Sequence, residues 1–526
     1  MTATTAPSRP ASKPVGASFR SVLWAEWIKF RTVRGWLIAL LLAALFTVLF
    51  TFLVANGNHE STCTGSGVCG SGHLFVPTGP DGEAVADSYQ YLAQPLTAGG
   101  TLTAEISSLT GLTWNGPANR APSLAHTRPG LAAWTKAGIL VTPSARQGSA
   151  YAAVMATGSH GVRFQHNYTH DQAGLPGAIT NSSPQWLRLT RSGDTLTGYG
   201  SSDGTTWHKI GTARLAGLPA TVYIGLFVTS PVSYQASGSG APTQATATFN
   251  HVSLTGNATG TWQSHSIGTS QQDYYPTLGD GSSRRSGTTA VLTGSGDIAP
   301  AVALAGGNTA SGSLLFGIVV ALIVLIVIAT SFITAEYRRG LIRTTFTATP
   351  ARRSVLAAKA IVAGTVAFVV GALAAAAAIP LGDHVLNGNG NYIFPATAFT
   401  LVRIIAGTGA LLAVTAVAVL ALGTILRRSA GAITAGILVF VLPSLIGPGI
   451  LGPGSSGGAA TWLDRVTPAA GFSALAALPR SALVDYPYTL ANGYYPLPPW
   501  AGLAVLCLYA IAALALAAFL LRRTDA

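Results

Sequence analysis

Charge is what this sequence lacks most. Asp, Glu, Lys and Arg make up 9% of its 526 residues, against about 25% in soluble globular domains. Acids are the scarcer sign, with 17 Asp and Glu against 30 Lys and Arg. Apolar residues reach 49%, and mean hydropathy is +0.44. That balance excludes an ordinary soluble enzyme and points to a membrane protein with a soluble part. Cysteine is nearly absent too. Three residues cannot staple a scaffold of this size, and no Cys/His spacing suits zinc, so no metal site is expected. No GxxxxGK[ST] loop, HExxH helix or kinase signature occurs. The chain is therefore expected to be no enzyme, with no catalytic residues and no cofactor of its own.

What is present is a set of long apolar runs: residues 35–55, 314–333, 360–379, 404–425, 430–451 and 500–521. Each matches a bilayer core of about 30 Å at 1.5 Å per residue. The first has a longer apolar stretch than a signal peptide and no small-residue cleavage site, so it is taken as retained. The segment between the second and third runs, residues 335–359, carries Arg338, Arg339, Arg343, Arg352, Arg353 and Lys359 against one acid, Glu336. Short basic loops stay on the cytoplasmic side. Arg427-Arg428 and Arg522-Arg523 mark the same side, which gives six spans with both termini inside. Segments so placed inside hold sixteen basic residues and three acids, Glu26, Glu336 and Asp525, while the outside segments balance at fourteen each. The whole net charge of +13 is thus cytoplasmic, and topology rather than nucleic acid explains it. The expected location is the cell membrane, multi-pass, with a large extracellular part. The spans hold almost no ionisable residue, Arg403 lying near the outer end of the fourth. Ion-coupled carriers need such groups within the bilayer, so energy is expected to enter from the cytoplasmic side.

Residues 1–17 read as a disordered tail. Residues 18–34, SFRSVLWAEWIKFRTVR, place Phe19, Val22, Leu23, Trp27, Phe30 and Val33 on one helical face, with Ser21, Lys29 and Thr32 opposite. Two readings stand: an amphipathic helix in the inner headgroup region, anchored by Trp24 and Trp27, or an extension of the first span. Thr349-Pro350 reads as the N-cap and first turn of the third helix, and Pro380 as its end. The fifth run is expected to bend at Pro443. Residues 452–499, with Trp462, are too polar to span and suit interfacial or re-entrant helices.

Residues 56–312 form a long Gly-, Ser- and Thr-rich insertion without a span. Strand-like alternation in WLRLTR, with Leu187 and Leu189 facing one way, and turns at Gly193-Asp194 and Asp203-Gly204 argue a β-sandwich over about 73–256. Residues 257–312 show few strand signals and are expected to be a stalk or small accessory lobe. On the outer, oxidising face, Cys63 and Cys69 in CTGSGVC suit a small disulfide loop, with two free thiols as the alternative. Trp134, Tyr168 and Trp207 are either core aromatics or stacking platforms for an extracellular glycan.

The WAEWIKFRTVRGW helix, the ITAEYRRGLIRTTFTATPARRSVLAAKA segment and the six-span layout resemble the permease subunits of ABC-2-type exporters of actinobacterial style, over roughly half the chain. That resemblance implies a homodimer or a paired permease, and a separate ABC ATP-binding subunit that binds ATP beneath it. It assigns Glu336, Tyr337, Arg338, Arg339 and Arg343 to coupling with the ATPase, and Glu26, Lys29 and Arg31 to an interface helix. Topology and binding to membrane lipid headgroups form the other reading of these arginines. The 257-residue outer insertion departs from the family pattern. Within it, WTKAGILVTPSARQGSAYAAVMATGSHGVRFQHNYTHD and WLRLTRSGDTLTGYGSSDGTTWHKIG resemble concanavalin-A-like (laminin-G-like) sandwich domains, and SSDGTTW resembles the Asp-box turn of sialidases, a folding motif. The expected function is exporter permease. A membrane-anchored carbohydrate- or cell-wall-binding receptor is the alternative, and a secondary carrier comes third.

Overall fold

In a computed structural model of the chain, the described residues are 18–59, 61–63, 69–71, 75–116, 122–177, 184–234, 240–268, 277–302, 310–338, 351–445, 459–478, 480–486 and 494–523. Two kinds of structure alternate along them: apolar helices, then a large β unit, then apolar helices again.

Helix α1 is Phe19–Thr32, capped by Ser18, whose side chain accepts from the Ser21 N–H. Val33 leaves helical geometry, and α2, Arg34–Gly57, starts afresh. The first helix is therefore a separate element, not an extension of the second. After the β unit come α3 (Ala310–Arg338), α4 (Arg352–Gly388), α5 (Ala398–Leu426), α6 (Ser429–Phe440), α7 (Ala459–Val466) and α8 (Pro499–Arg523). Among the described residues, five helices are long and apolar enough to cross a membrane: α2, α3, α4, α5 and α8.

Three expectations are corrected here. The α4 N-cap is Ala351, without a side-chain bond, while Thr349 and Pro350 lie outside the described residues. Pro380 does not end α4, which runs on to Gly388. A proline removes one backbone bond, and a helix packed along its length can absorb that loss. The fifth run forms only the 12-residue α6 before a turn at Val441, with 442–445 helical again. Pro443 has no N–H to donate and its ring crowds the carbonyl four residues back, Val439, so the helix is interrupted at Val441.

Small residues let α4 and α5 approach closely: a Cβ on Gly371 would sit 2.7 Å from a Leu412 methyl group, and one on Gly409 would sit 2.8 Å from the Phe368 carbonyl. Beyond α5, the 3-10 helix Pro468–Leu475 is buried at every residue and packs against α5 and α8. Arg403 explains its own position: its guanidinium donates to the carbonyls of Ala474 (3.2 Å) and Ala476 (2.5 Å), closing the end of that segment. The preceding α7 exposes Trp462 and Val466 and buries Asp464.

The β unit turns on one strand, Tyr89–Trp114. Its first half pairs with Thr221–Thr229, its second with Gln185–Ser192. Between them Ala98 has φ +64°, and a Cβ on Gly100 would meet the Thr255 carbonyl at 2.4 Å. The kink steers the strand from one layer to the other, so a single hydrogen-bonded sheet folds into a two-layered sandwich. One layer runs on from Thr221–Thr229 through Lys136–Thr142, Ala152–Thr157, Val162–His166 and His170–Ala173. The other continues through Thr195–Ser201 and His208–Arg214. Leu102, Ile106, Ile139, Val154, Phe164 and Leu187 pack between them. The first layer is also covered on its outer face, by a cluster including Val85, Tyr91, Tyr151, Tyr168 and Ile298. Hence Lys136–Thr142 and Ala152–Thr157 are buried at every position.

The described strands after residue 257 join the sandwich rather than forming a stalk. Gln263–Ile267 pairs with Tyr89–Trp114, Ser282–Ser286 and Thr289–Gly294 extend the same sheet, and Ile298–Pro300 pairs with Val85–Asp87. The first three of these strands are partly exposed and rich in Ser, Thr and Arg, and the last is only three residues long, so they carry little apolar signal.

Lys136 and Asp297 form a buried ion pair at 2.6 Å, with the Lys136 ammonium also donating to the Ile298 carbonyl. Lys136→Ala, which strands Asp297, is expected to cost about 3–5 kcal/mol, whereas the double change Lys136→Met/Asp297→Leu recovers most of it. Melting of the purified full-length chain checks this. Burial pushes the Asp464 carboxyl up to about 6 from 3.8. Its ionisation therefore destabilises the fold as pH rises through that window. Asp464→Asn should raise stability by about 1–2 kcal/mol above pH ~6, a gain that fades as pH falls towards 4. Melting curves taken across that range test the sign.

Candidate functional site

Helices α2 and α3 join the sandwich at one end. At their other ends, Phe30, Trp36 and Phe332 meet ring against ring at 5.3–5.6 Å. Beside this aromatic knot lies a cluster of four charges. Lys359 of α4, with no solvent exposure, sits 2.6 Å from Glu26 Oε2 of α1 and 2.9 Å from Glu336 Oε1 of α3. Its ammonium also stands 4.2 Å from the Phe332 ring centroid. Lys29 closes the ring, 2.7 Å from Glu26 Oε1 and 3.1 Å from Glu336 Oε1. Burial opposes the Lys29 charge, but Glu26 and Glu336 outweigh it and hold its pKa up. Two carboxylates and two ammonium groups cancel, which is what makes such burial tolerable.

Packing seats α1 on the start of α4. Val22 is buried with Val355 and Ala358, and Leu23 lies against them. The buried stripe of α1 is Val22, Glu26 and Phe30; it shares Val22 and Phe30 with the apolar face read from the sequence but leaves out that face's end residues, Phe19 and Val33. Those two are exposed, as is Trp24. Arg352 donates from Nη1 to the Leu521 carbonyl at 3.1 Å, tying α4 to the end of α8.

Of the residues singled out from the sequence, the fold brings Glu26, Lys29 and Glu336 into one cluster. Tyr337 follows it, half-buried, with the Arg427 guanidinium 5.7 Å from its ring. Arg31 is exposed and outside the cluster. Arg338 ends α3, its side chain outside the described residues, as are Arg339 and Arg343 altogether. Lys359, the central cation, was read only as an interfacial basic residue. Its signal was the scarcity of acids: Glu26 and Glu336 are two of the three in the segments read as cytoplasmic. Glu336 Oε2 and the Tyr337 hydroxyl are buried and find no hydrogen-bond partner among the described residues. Both ammonium groups of the cluster are held by both carboxylates. What it can do is lock three helices to one another.

On the sandwich, two of the three stacking aromatics are core residues. Trp134 is buried and stacks on His160 at 3.9 Å. Tyr168 is buried, its hydroxyl donating to Asp87 at 2.8 Å. Neither offers a face to a sugar from solvent. Trp207 is half-buried beneath Arg188, whose guanidinium lies 3.8 Å above the ring. Asp203 accepts from the Thr205 and Thr206 N–H groups and from the Ser201 hydroxyl, which depress its pKa and make it a turn residue. Asp171 is engaged by Arg163 and Gln165. No group of three or more metal-ligating side chains occurs among the described residues. Cys63 lies directly opposite Cys69 in a two-stranded ladder, their side chains outside the described residues.

No family model matches the chain, and no curated protein matches it. Among solved structures, a functionally unknown protein from Saccharomyces cerevisiae is similar at 16% identity over 35% of this chain and 85% of its own, with a TM-score of 0.21. Scytalido-glutamic peptidase with a transition-state analogue matches at 12% over 39% and 98%, with a TM-score of 0.24. Lectin I-B4 from Griffonia simplicifolia, in its metal-free form, matches at 12% over 32% and 83%, with a TM-score of 0.15. Likenesses this slight carry no argument, and the sandwich assignment rests on its own strand pairing.

Lys359→Met is expected to leave two buried carboxylates sharing the single, half-exposed ammonium of Lys29 and to cost about 3–5 kcal/mol. Adding Glu26→Gln and Glu336→Gln should recover most of the loss, while Arg31→Gln should change little. Melting of the detergent-purified chain reads all three.

Proposed function

We propose that this chain is the membrane permease subunit of an ABC-2-type exporter, moving its substrate with energy from a separate ATP-binding subunit. The supporting observation is the buried Glu26–Lys29–Glu336–Lys359 cluster, which fastens α1 to the adjoining ends of α3 and α4. A motor that pushes on the arginine-rich segment after Glu336 would thereby move three helices as one body. In this reading the chain spans the membrane six times with both termini in the cytoplasm, α1 lies along the inner headgroups, and the sandwich stands outside. Two such permeases face one another, and ATP binding closes the paired ATPases beneath them. Their closure presses on Glu336, Tyr337, Arg338, Arg339 and Arg343 and on α1, and a path opens between the permeases towards the outside. The anchored-receptor alternative is weakened by the burial of Trp134 and Tyr168.

Arg338→Glu/Arg339→Glu is expected to cut co-purification of the ATP-binding subunit by about tenfold or more, since like charges at a contact repel, with membrane insertion unchanged. Undiminished co-purification refutes the contact. A thiol placed by Tyr337→Cys should react in sealed cells only with a permeant reagent.

A further inference from the structure

Where the sandwich approaches the helices, there is a cavity of about 640 Å³, within the 300–1,000 Å³ typical of small-molecule sites. Ile379 of α4 and Leu401 and Ile404 of α5 wall it, together with Ile393, Phe394 and Leu483. The sandwich contributes Glu83 and Asp171 as a roof. A second space of about 460 Å³, lined by His384, Asn387 and Tyr392, shares Asp383 and Ile393 with the first. The chamber is thus mainly apolar, with charged groups contributed from both the sandwich and the helical side.

The charged lining is mostly acidic. Glu83, Asp171 and Asp383 line the main cavity against a single cation, Arg480. Asp171 is already engaged by Arg163 and Gln165. Glu83 differs: both carboxylate oxygens are buried, and neither has a side-chain partner among the described residues. Burial raises its pKa, with backbone groups of its own turn compensating in part. A carboxylate shielded from water at the edge of an apolar chamber gains from a cation that itself tolerates desolvation. A hard, strongly hydrated ion does not fit that description, whereas a large organic cation with its charge spread over an apolar body does.

We propose that this cavity binds an organic cation with a bulky apolar body, its charge set against Glu83 and its rings or chains against Ile379, Phe394, Leu401 and Ile404. The proposal rests on the exporter reading only in making this molecule the cargo; the binding site stands on the cavity alone. An anion of equal size would be repelled by Glu83, and a neutral molecule would leave its carboxylate without a counter-charge.

The test uses purified full-length protein in neutral detergent, without nucleotide or ATPase, and two probes of the same shape and opposite charge: tetraphenylphosphonium and tetraphenylborate. Equilibrium dialysis should show saturable binding of the phosphonium and none of the borate. Glu83→Gln should weaken phosphonium binding by about tenfold or more, Glu83→Asp should keep it within about threefold, and Ile404→Trp, which fills the chamber, should abolish it. Unchanged elution volume and melting temperature establish that each variant is folded. Should Glu83→Gln fail that check, the Glu83→Asp and Ile404→Trp results decide. Absence of saturable phosphonium binding, indifference to Glu83→Gln in the folded variant, or equal binding of the borate overturns the proposal. Failure to find an ATPase partner would sink the exporter reading and leave these measurements untouched.

Discussion

A lysine ammonium without access to water is tolerable only beside opposite charge, and Lys359 finds it on two other helices at once. That requirement fixes how α1, α3 and α4 are placed together. If α1 moved away, Glu26 would leave and the lysine would lose half its compensation. If α3 slid along its axis, Glu336 would leave with the same effect. Apolar packing such as Phe30 on Phe332 and Val22 on Val355 holds the helices together but tolerates small displacements, because dispersion contacts are not directional. The charged bonds do not tolerate them, so the cluster supplies the register that the apolar contacts leave loose.

Much of the helical part was legible because its signals are local. Runs of apolar residues gave the long helices, and Ser18 gave the start of α1 through its own side chain. What was not legible came from partners distant in the chain. Helical periodicity sets Glu26 in line with Val22 and Phe30 but names no partner for it, and that partner, Lys359, lies 333 residues away. Pro380 reads locally as a stop, yet α4 continues through it. Residues 257–300 lacked apolar alternation because their strands bury only a few side chains each, such as Ala290 and Leu292, against a core made by others. The aromatics Trp134 and Tyr168 were ambiguous for a related reason: composition shows an aromatic ring but not which neighbours cover it.

The sandwich and the helices use polar burial in the same way. In the sandwich, Lys136 and Asp297 pair across the covered side of one layer, at the point where the last strand returns to Val85–Asp87. In the helical unit, Lys359 does the equivalent for three helices. In both places an ionic contact joins segments far apart in sequence, and the surrounding apolar core excludes water from it. The Glu83 carboxylate stands between these two regimes, shielded like the paired acids but without a side-chain counterpart among the described residues.

The strand Tyr89–Trp114 belongs to both layers of the sandwich, with its halves hydrogen-bonded to different neighbours on either side of Ala98. Neither layer can therefore melt while the other persists, since peeling one away unzips the shared strand from its remaining partners. The β unit is built to fail all at once, and a protease meeting it finds no half-unfolded rung at which to begin.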